Sequence, residues 1–142
     1  MPARSPLRMP ALLLAGAWLS ACASTPGADP ARLGIYLAHA GEPVASIPYL
    51  SPASGFATID GEHLLLMQSP RRNWLLRIDP PCLDDDSISP RLVIHSSGSR
   101  VSANFDSVGS QSRPGLRCTI REIRPVDLDA ARAAERAARG AP

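Results

Sequence analysis

Asp84-Asp85-Asp86 is the densest concentration of charge in this 142-residue sequence, and three adjacent carboxylates invite a hard cation. Calcium draws roughly six to eight oxygens from ligands spaced along a loop, with a glycine at its sharp turn. This run has neither the spacing nor the glycine, so it reads as a solvated acidic loop. His39, His63 and His95 are scattered and form no H-x-x-x-H or other local ligand pair, so no metal site is expected. His39 lies near a predicted helix end, and His63 and His95 on predicted strands, where surface or boundary roles are the ordinary reading. Serines are plentiful, but the G-x-S-x-G elbow is absent. The chain contains no lysine, which removes Ser–Lys dyads and Schiff-base chemistry. A carboxylate pair for glycoside cleavage would have to come from Asp60, Glu62, Asp79 or Asp106, and nothing in their spacing argues for one. The expectation is therefore a non-enzymatic protein without catalytic residues or cofactor.

Two arginine groups have binding chemistry. Arg71-Arg72 falls in a predicted turn, and Arg117, Arg121 and Arg124 recur along the last predicted strand. Either group could meet lipid headgroups or an acidic partner. The favoured reading is balancing surface charge beside Glu122, Asp127 and the acidic loop. Trp74 opens an apolar alternation and is expected in the core rather than on a binding platform.

The cysteines carry the most specific signal. Arg4 and Arg8 give a basic start, and Ala11 to Ala21 is nearly all small or apolar. Eleven helical residues reach about 17 Å, short of the roughly 30 Å of bilayer hydrocarbon, so this is a secretory leader rather than a span. Leu19-Ser20-Ala21-Cys22 closes it and resembles the lipobox of bacterial lipoproteins. That resemblance makes residues 1–21 a signal peptide and Cys22 the lipidated first residue of the mature chain, with palmitate among its acyl groups. Ala21-Cys22-Ala23 also fits ordinary signal peptidase, which would discard Cys22 and leave a soluble exported chain. Ala23 stands where the inner-membrane retention signal carries Asp, so the resemblance implies the outer membrane, facing the periplasm. Cys82 and Cys118 then remain as an even pair in an oxidising compartment, most simply one disulfide. They lack the C-x-x-C spacing of redox or metal pairs.

Composition narrows the partners. Two of the 15 arginines lie in the leader, so the mature chain balances 13 arginines against 13 acidic residues. That balance, with few aromatics, argues against nucleic acid. The 121 residues after the leader suffice for one domain. Residues 22–28 are a short tether reaching at most about 25 Å. The expected partners are the membrane, through the N-terminal lipid, and an envelope protein; a small-molecule ligand is left open.

These residues need elements to position them. Asp29-Pro30 starts a helix in which Leu33, Tyr36, Leu37 and Ala40 share a face, stopped by Gly41 and Pro43. Strand signals follow from Val44 to Ile123. Ile47 to Leu50 is a short edge strand, restricted by Pro48. Phe56–Ile59 and His63–Gln68 flank Asp60-Gly61, a hairpin signal. Trp74, Leu76 and Ile78 alternate with Asn73 and Arg77 as a half-buried strand. Leu83–Pro90 reads as loop. Leu92–His95 and Arg100–Asp106 flank a turn at Ser96–Ser99, with Val101, Ala103 and Phe105 on one face. Ser107–Gly115 reads as a flexible loop, and Arg117–Ile123 as the last strand with Cys118 and Ile120 inward. Asp127 caps a helix through Arg139, closed by Gly140, that docks by its first turn and frays beyond. The whole is an α+β, β-rich domain over residues 29–140. A strongly bent antiparallel sheet or small barrel carries one N-terminal helix, one C-terminal helix and one disulfide.

The blocks Trp74–Cys82, Arg100–Val108 and Cys118–Asp127 are similar to an uncharacterised family of small exported bacterial proteins and lipoproteins bearing a domain of unknown function. That family supplies no activity, ligand or catalytic residue to carry over. The reading is thus an envelope lipoprotein acting as a structural or interaction module at the membrane surface. The alternative is a periplasmic binding protein of the hydrolase-inhibitor type.

Overall fold

The computed structural model describes residues 29–49, 53–83 and 92–140. The leader, Cys22, the tether and Asp84–Asp86 lie outside these. The element order is α1 (Pro30–Ala38), β1 (Ser46–Pro48), β2 (Gly55–Thr58), β3 (His63–Ser69), β4 (Arg72–Ile78), β5 (Leu92–His95), β6 (Arg100–Ser102), β7 (Ser107–Ser110), β8 (Arg113–Pro125) and α2 (Leu128–Ala138). Among the described residues no helix is long and apolar enough to cross a membrane.

β8 is the spine of the molecule. Its N-terminal half pairs with β7 and its C-terminal half with β4, giving an antiparallel sheet ordered β2-β3-β4-β8-β7-β5. The register slips between the Arg77↔Glu122 and Ile78↔Ile120 pairs, leaving Arg121 as an extra residue. A bulge bends a strand and resets its alternation. Hence Ile120 and Ile123, three apart, both enter one core cluster. The curled sheet is a half-barrel, and β1 and β6 pair as a separate antiparallel ribbon whose Ile47 and Val101 pack into its core. Ile47 and Val101 on that ribbon are completely buried with Leu64, Leu66, Leu76, Ile78, Val108, Ile120 and the two cysteines. Cys82 and Cys118 form a disulfide with a Cα separation of 6.0 Å.

The two helices cover the other face. Leu65 and Leu75 point there and pack with Tyr36, Ile59, Val126, Leu128 and Ala131. β3 and β4 are therefore buried on both faces at their centre, and β4 is not half-buried as its alternation predicts. Asp29 caps α1 through the Ala31 amide at 3.0 Å, and Asp127 caps α2 through the Ala130 amide at 3.0 Å. Gly140 takes the left-handed conformation, φ +65°, that ends α2. The helices are clasped by Glu135, which accepts from Arg32 Nε at 2.8 Å, Tyr36 Oη at 3.0 Å and Arg139 at 2.6 Å. α2 is thus docked along its length, not only by its first turn.

Several sequence expectations are corrected. Leu37 is 41% exposed, because only Tyr36 and Leu33 of α1 meet the sheet. Gly41 ends no helix; it lies against the Pro125 ring, where a Cβ would come within 2.9 Å of Cγ. β5 and β6 do not form a hairpin. β6 pairs with β1, and β5 with β7, which the sequence presents as loop. Phe105 does not share the inward face of Val101; it is 88% exposed. The chain turns between Ser102 and Asp106, with Asn104 left-handed at φ 66° and the Asp106 carboxylate accepting the Ser102 amide at 2.6 Å. β7 is recognisable only by its neighbours. A Cβ on buried Gly109 would meet His95 Nε2 at 2.7 Å and the Leu116 carbonyl at 3.0 Å. Gly109→Ala is expected to cost about 1–2 kcal/mol by overpacking, seen as a lower urea midpoint at unchanged slope.

Candidate functional site

The charged residues singled out by sequence are mostly consumed in holding the fold. Asp60 sits in the β2–β3 turn and accepts from the amides of Glu62 and His63 at 2.8 and 2.7 Å, and its carboxylate meets His63 Nδ1 at 2.8 Å. Burial alone would raise the Asp60 carboxyl. The Glu62 amide and the His63 side chain outweigh it and hold the group below the ordinary aspartate value. Asp79 pairs with Arg121 at 2.7 Å and is lowered chiefly by that hydrogen bond. Asp106 is committed to the Ser102 turn. Arg124 pairs with Glu122 at 2.6 Å and reaches the Gly41 carbonyl at 3.2 Å. For Arg121 and Arg124, balancing surface charge is what the structure shows.

His63 is held by Asp60, His95 lies against Gly109 beside Phe105 and Arg117, and His39 caps the end of α1. Nothing brings the three together. Among the described residues no group of three His, Cys, Asp or Glu side chains is placed to hold a metal.

One cleft of about 560 Å³ stands apart, walled by His39, Gly41, Pro48, Gln68, Arg71, Arg72, Asn73, Trp74, Pro125, Val126 and Asp127. Four separated stretches build it, and main-chain bonds fix them. Gly41 N donates to the Pro125 carbonyl at 2.8 Å, Val126 N to that of Asn73 at 3.0 Å, and Asp127 N to that of His39 at 3.0 Å. Gln68 Nε2 ties β3 to Pro48 at 2.9 Å. Gly41 is required here, since any side chain would push the wall off the Pro125 ring. The volume falls in the range of small-molecule sites, roughly 300–1,000 Å³.

Arg71 and Arg72, the turn entering β4, are exposed and make no ion pair or side-chain hydrogen bond among the described residues. Among the described residues Asp127 is the only carboxylate in the wall, and it caps α2. Trp74 is partly buried and packs against the core beside Leu66, so it belongs to core and cleft together. Its Nε1–H is sealed from solvent and has no acceptor. A buried orphan donor costs about 1–3 kcal/mol. Trp74→Phe removes that cost along with some packing, so its net effect is expected to stay within about 1 kcal/mol in urea unfolding, well short of the roughly 3–5 kcal/mol of an ordinary buried Trp→Ala. The sequence marked Arg71-Arg72 and Trp74 separately. Pro48 and Pro125 carried no signal that they would meet them.

The described residues form a disulfide-closed antiparallel half-barrel with a helix near each end and a cleft lined by arginine and tryptophan. The chain belongs to DUF6491, a family of unknown function whose model matches residues 6–142. No curated protein matches the chain, and no solved structure does.

Proposed function

We propose that this chain is an envelope lipoprotein, anchored through acylated Cys22 and acting by binding rather than by catalysis. The observation that carries the binding reading is the cleft at Trp74. Its two arginines are uncommitted, whereas Arg32, Arg121, Arg124 and Arg139 are engaged by carboxylates. The candidate acids Asp60, Asp79 and Asp106 have partners of their own, so they serve the fold before any chemistry. The anchor rests on Leu19-Ser20-Ala21-Cys22, and the family match extends back across that segment. Ala23 favours the outer membrane. From there a tether of at most about 25 Å keeps the cleft within reach of lipid and of partners fixed in the envelope.

The test is metabolic labelling with a clickable fatty acid in a Gram-negative host. The wild-type chain is expected to take up label and to fractionate with the outer membrane, and Cys22→Ser to stay unlabelled. A wild-type chain recovered unlabelled and soluble would overturn the anchor.

A further inference from the structure

We infer that the cleft at Trp74 is a site for a small ring-bearing oxyanion, a carboxylate or phosphate ester, with Arg71 and Arg72 taking the anionic group. This deepens the binding reading above and rests on it. The argument begins with charge. Arg71, Arg72 and His39 line the cleft, and among the described residues the one carboxylate residue lining it is Asp127, whose Oδ1 already accepts the Ala130 amide. Arg32, Arg121, Arg124 and Arg139 find carboxylates at 2.6 to 2.8 Å, whereas Arg71 and Arg72 have none among the described residues. Guanidinium presents a planar fork of donors that matches the spacing of carboxylate and phosphate oxygens, and a paired fork is stronger than a point charge. The Asn73 and Gln68 side chains also lie in the wall, adding neutral polar groups that orient rather than neutralise.

Shape supplies the second half. Trp74 contributes one planar aromatic ring, and Pro48, Pro125, Val126 and Gly41 add apolar lining. A planar indole favours a planar guest, because ring-on-ring contact buries apolar area with little loss of freedom in either partner. The ligand is therefore an apolar or sugar-like ring with an anionic substituent, sized for about 560 Å³. A bare inorganic anion would leave the apolar lining unused, and a neutral ring would leave the arginines unused. The rim position of both arginines implies recognition that weakens with salt.

Trp74 is the one tryptophan after residue 21, so in the mature chain it is the sole indole reporter. In detergent solution, with excitation at the red edge of indole absorption, benzoate and phenyl phosphate are the anionic probes and benzamide the neutral match. Both anions are expected to shift Trp74 emission saturably, and benzamide to bind at least tenfold more weakly. Whichever anion binds tighter identifies the carboxylate or the phosphate source. Replacing both Arg71 and Arg72 by Gln is expected to weaken the anions at least tenfold while leaving the unfolding midpoint within error of wild type. Arg100→Gln, whose guanidinium bonds Ser46 outside the cleft, leaves binding unchanged. Equal binding of benzamide and benzoate, full anion binding by the double-Gln variant, or no saturable change with either anion would each overturn the assignment. None of these outcomes alters fatty-acid labelling of Cys22, so the ligand class and the anchored-module reading fail separately.

Discussion

Replacing Cys82 and Cys118 together by alanine is expected to lower stability by about 4 kcal/mol, the largest effect of any change considered. The bond closes a stretch with a sequence separation of 36 residues, and the chain-entropy relation gives about 4 kcal/mol for a loop of that size. Both cysteines are nearly completely buried within the main core, so the loss of packed sulfur adds to the loss of the crosslink. A small domain commonly has only about 5–15 kcal/mol in hand, so the variant sits near the edge of folding. The check is urea unfolding of wild type, reduced wild type and the double variant, followed by far-ultraviolet circular dichroism. Reduced wild type should lose the crosslink's share, and the double variant somewhat more because it also loses the packed sulfurs. A midpoint within error of the oxidised chain would show that the half-barrel closes without its crosslink.

The second large effect is expected at Glu135. Its carboxylate, 13% exposed, gathers Arg32, Tyr36 and Arg139, and so joins α1 to α2. Glu135→Ala leaves a tyrosine hydroxyl and two guanidiniums without their shared acceptor, for a loss of about 2–3 kcal/mol after allowing for solvent around the arginines. The same group predicts an acid dependence. Burial alone would raise its carboxyl; the hydrogen bonds from Tyr36 and Arg32, with the charges of Arg32 and Arg139, outweigh that and hold it below the ordinary glutamate value. A carboxyl lowered on folding contributes stability that is complete above its unfolded value and is lost as pH falls through its folded one. Asp60 is lowered in the same sense. Wild type should therefore lose stability progressively below about pH 4, near the unfolded glutamate and aspartate values, and Glu135→Gln should lose less over that interval. At the other extreme, burial and then Glu135 raise the Tyr36 hydroxyl. Its contribution is complete below the unfolded tyrosine value and is lost only as pH rises through the folded one. Urea titrations from pH 7 down to pH 3 measure the acid limb. Parallel curves for wild type and Glu135→Gln would remove Glu135 from the account.

What the sequence made legible was local. Asp29 and Asp127 announced the two helix starts because a cap is a contact over two or three residues. Asp60-Gly61 announced the β2–β3 hairpin for the same reason, and the even pair of cysteines announced the crosslink. What stayed hidden depends on partners far along the chain. β1 and β6 find each other across some fifty residues, and Arg32 meets Glu135 across 103. β7 could not be read as a strand, because Ser107, Gly109 and Ser110 carry no strand propensity. They are held there by the length of β8 on one side and β5 on the other. The bulge at Arg121 is equally silent, yet it decides which residues of β8 face inward. The cleft suffered most, since His39, Pro48, Trp74 and Pro125 become neighbours only after four chain stretches far apart in sequence have been brought together.

The clasp between the helices has a mechanical meaning. α1 is nine residues held by Tyr36, by Leu33 and by polar contacts from Arg32. A pull applied through the residues before Asp29 would act first on these contacts, and only after they gave way on the crosslinked sheet of β3, β4 and β8.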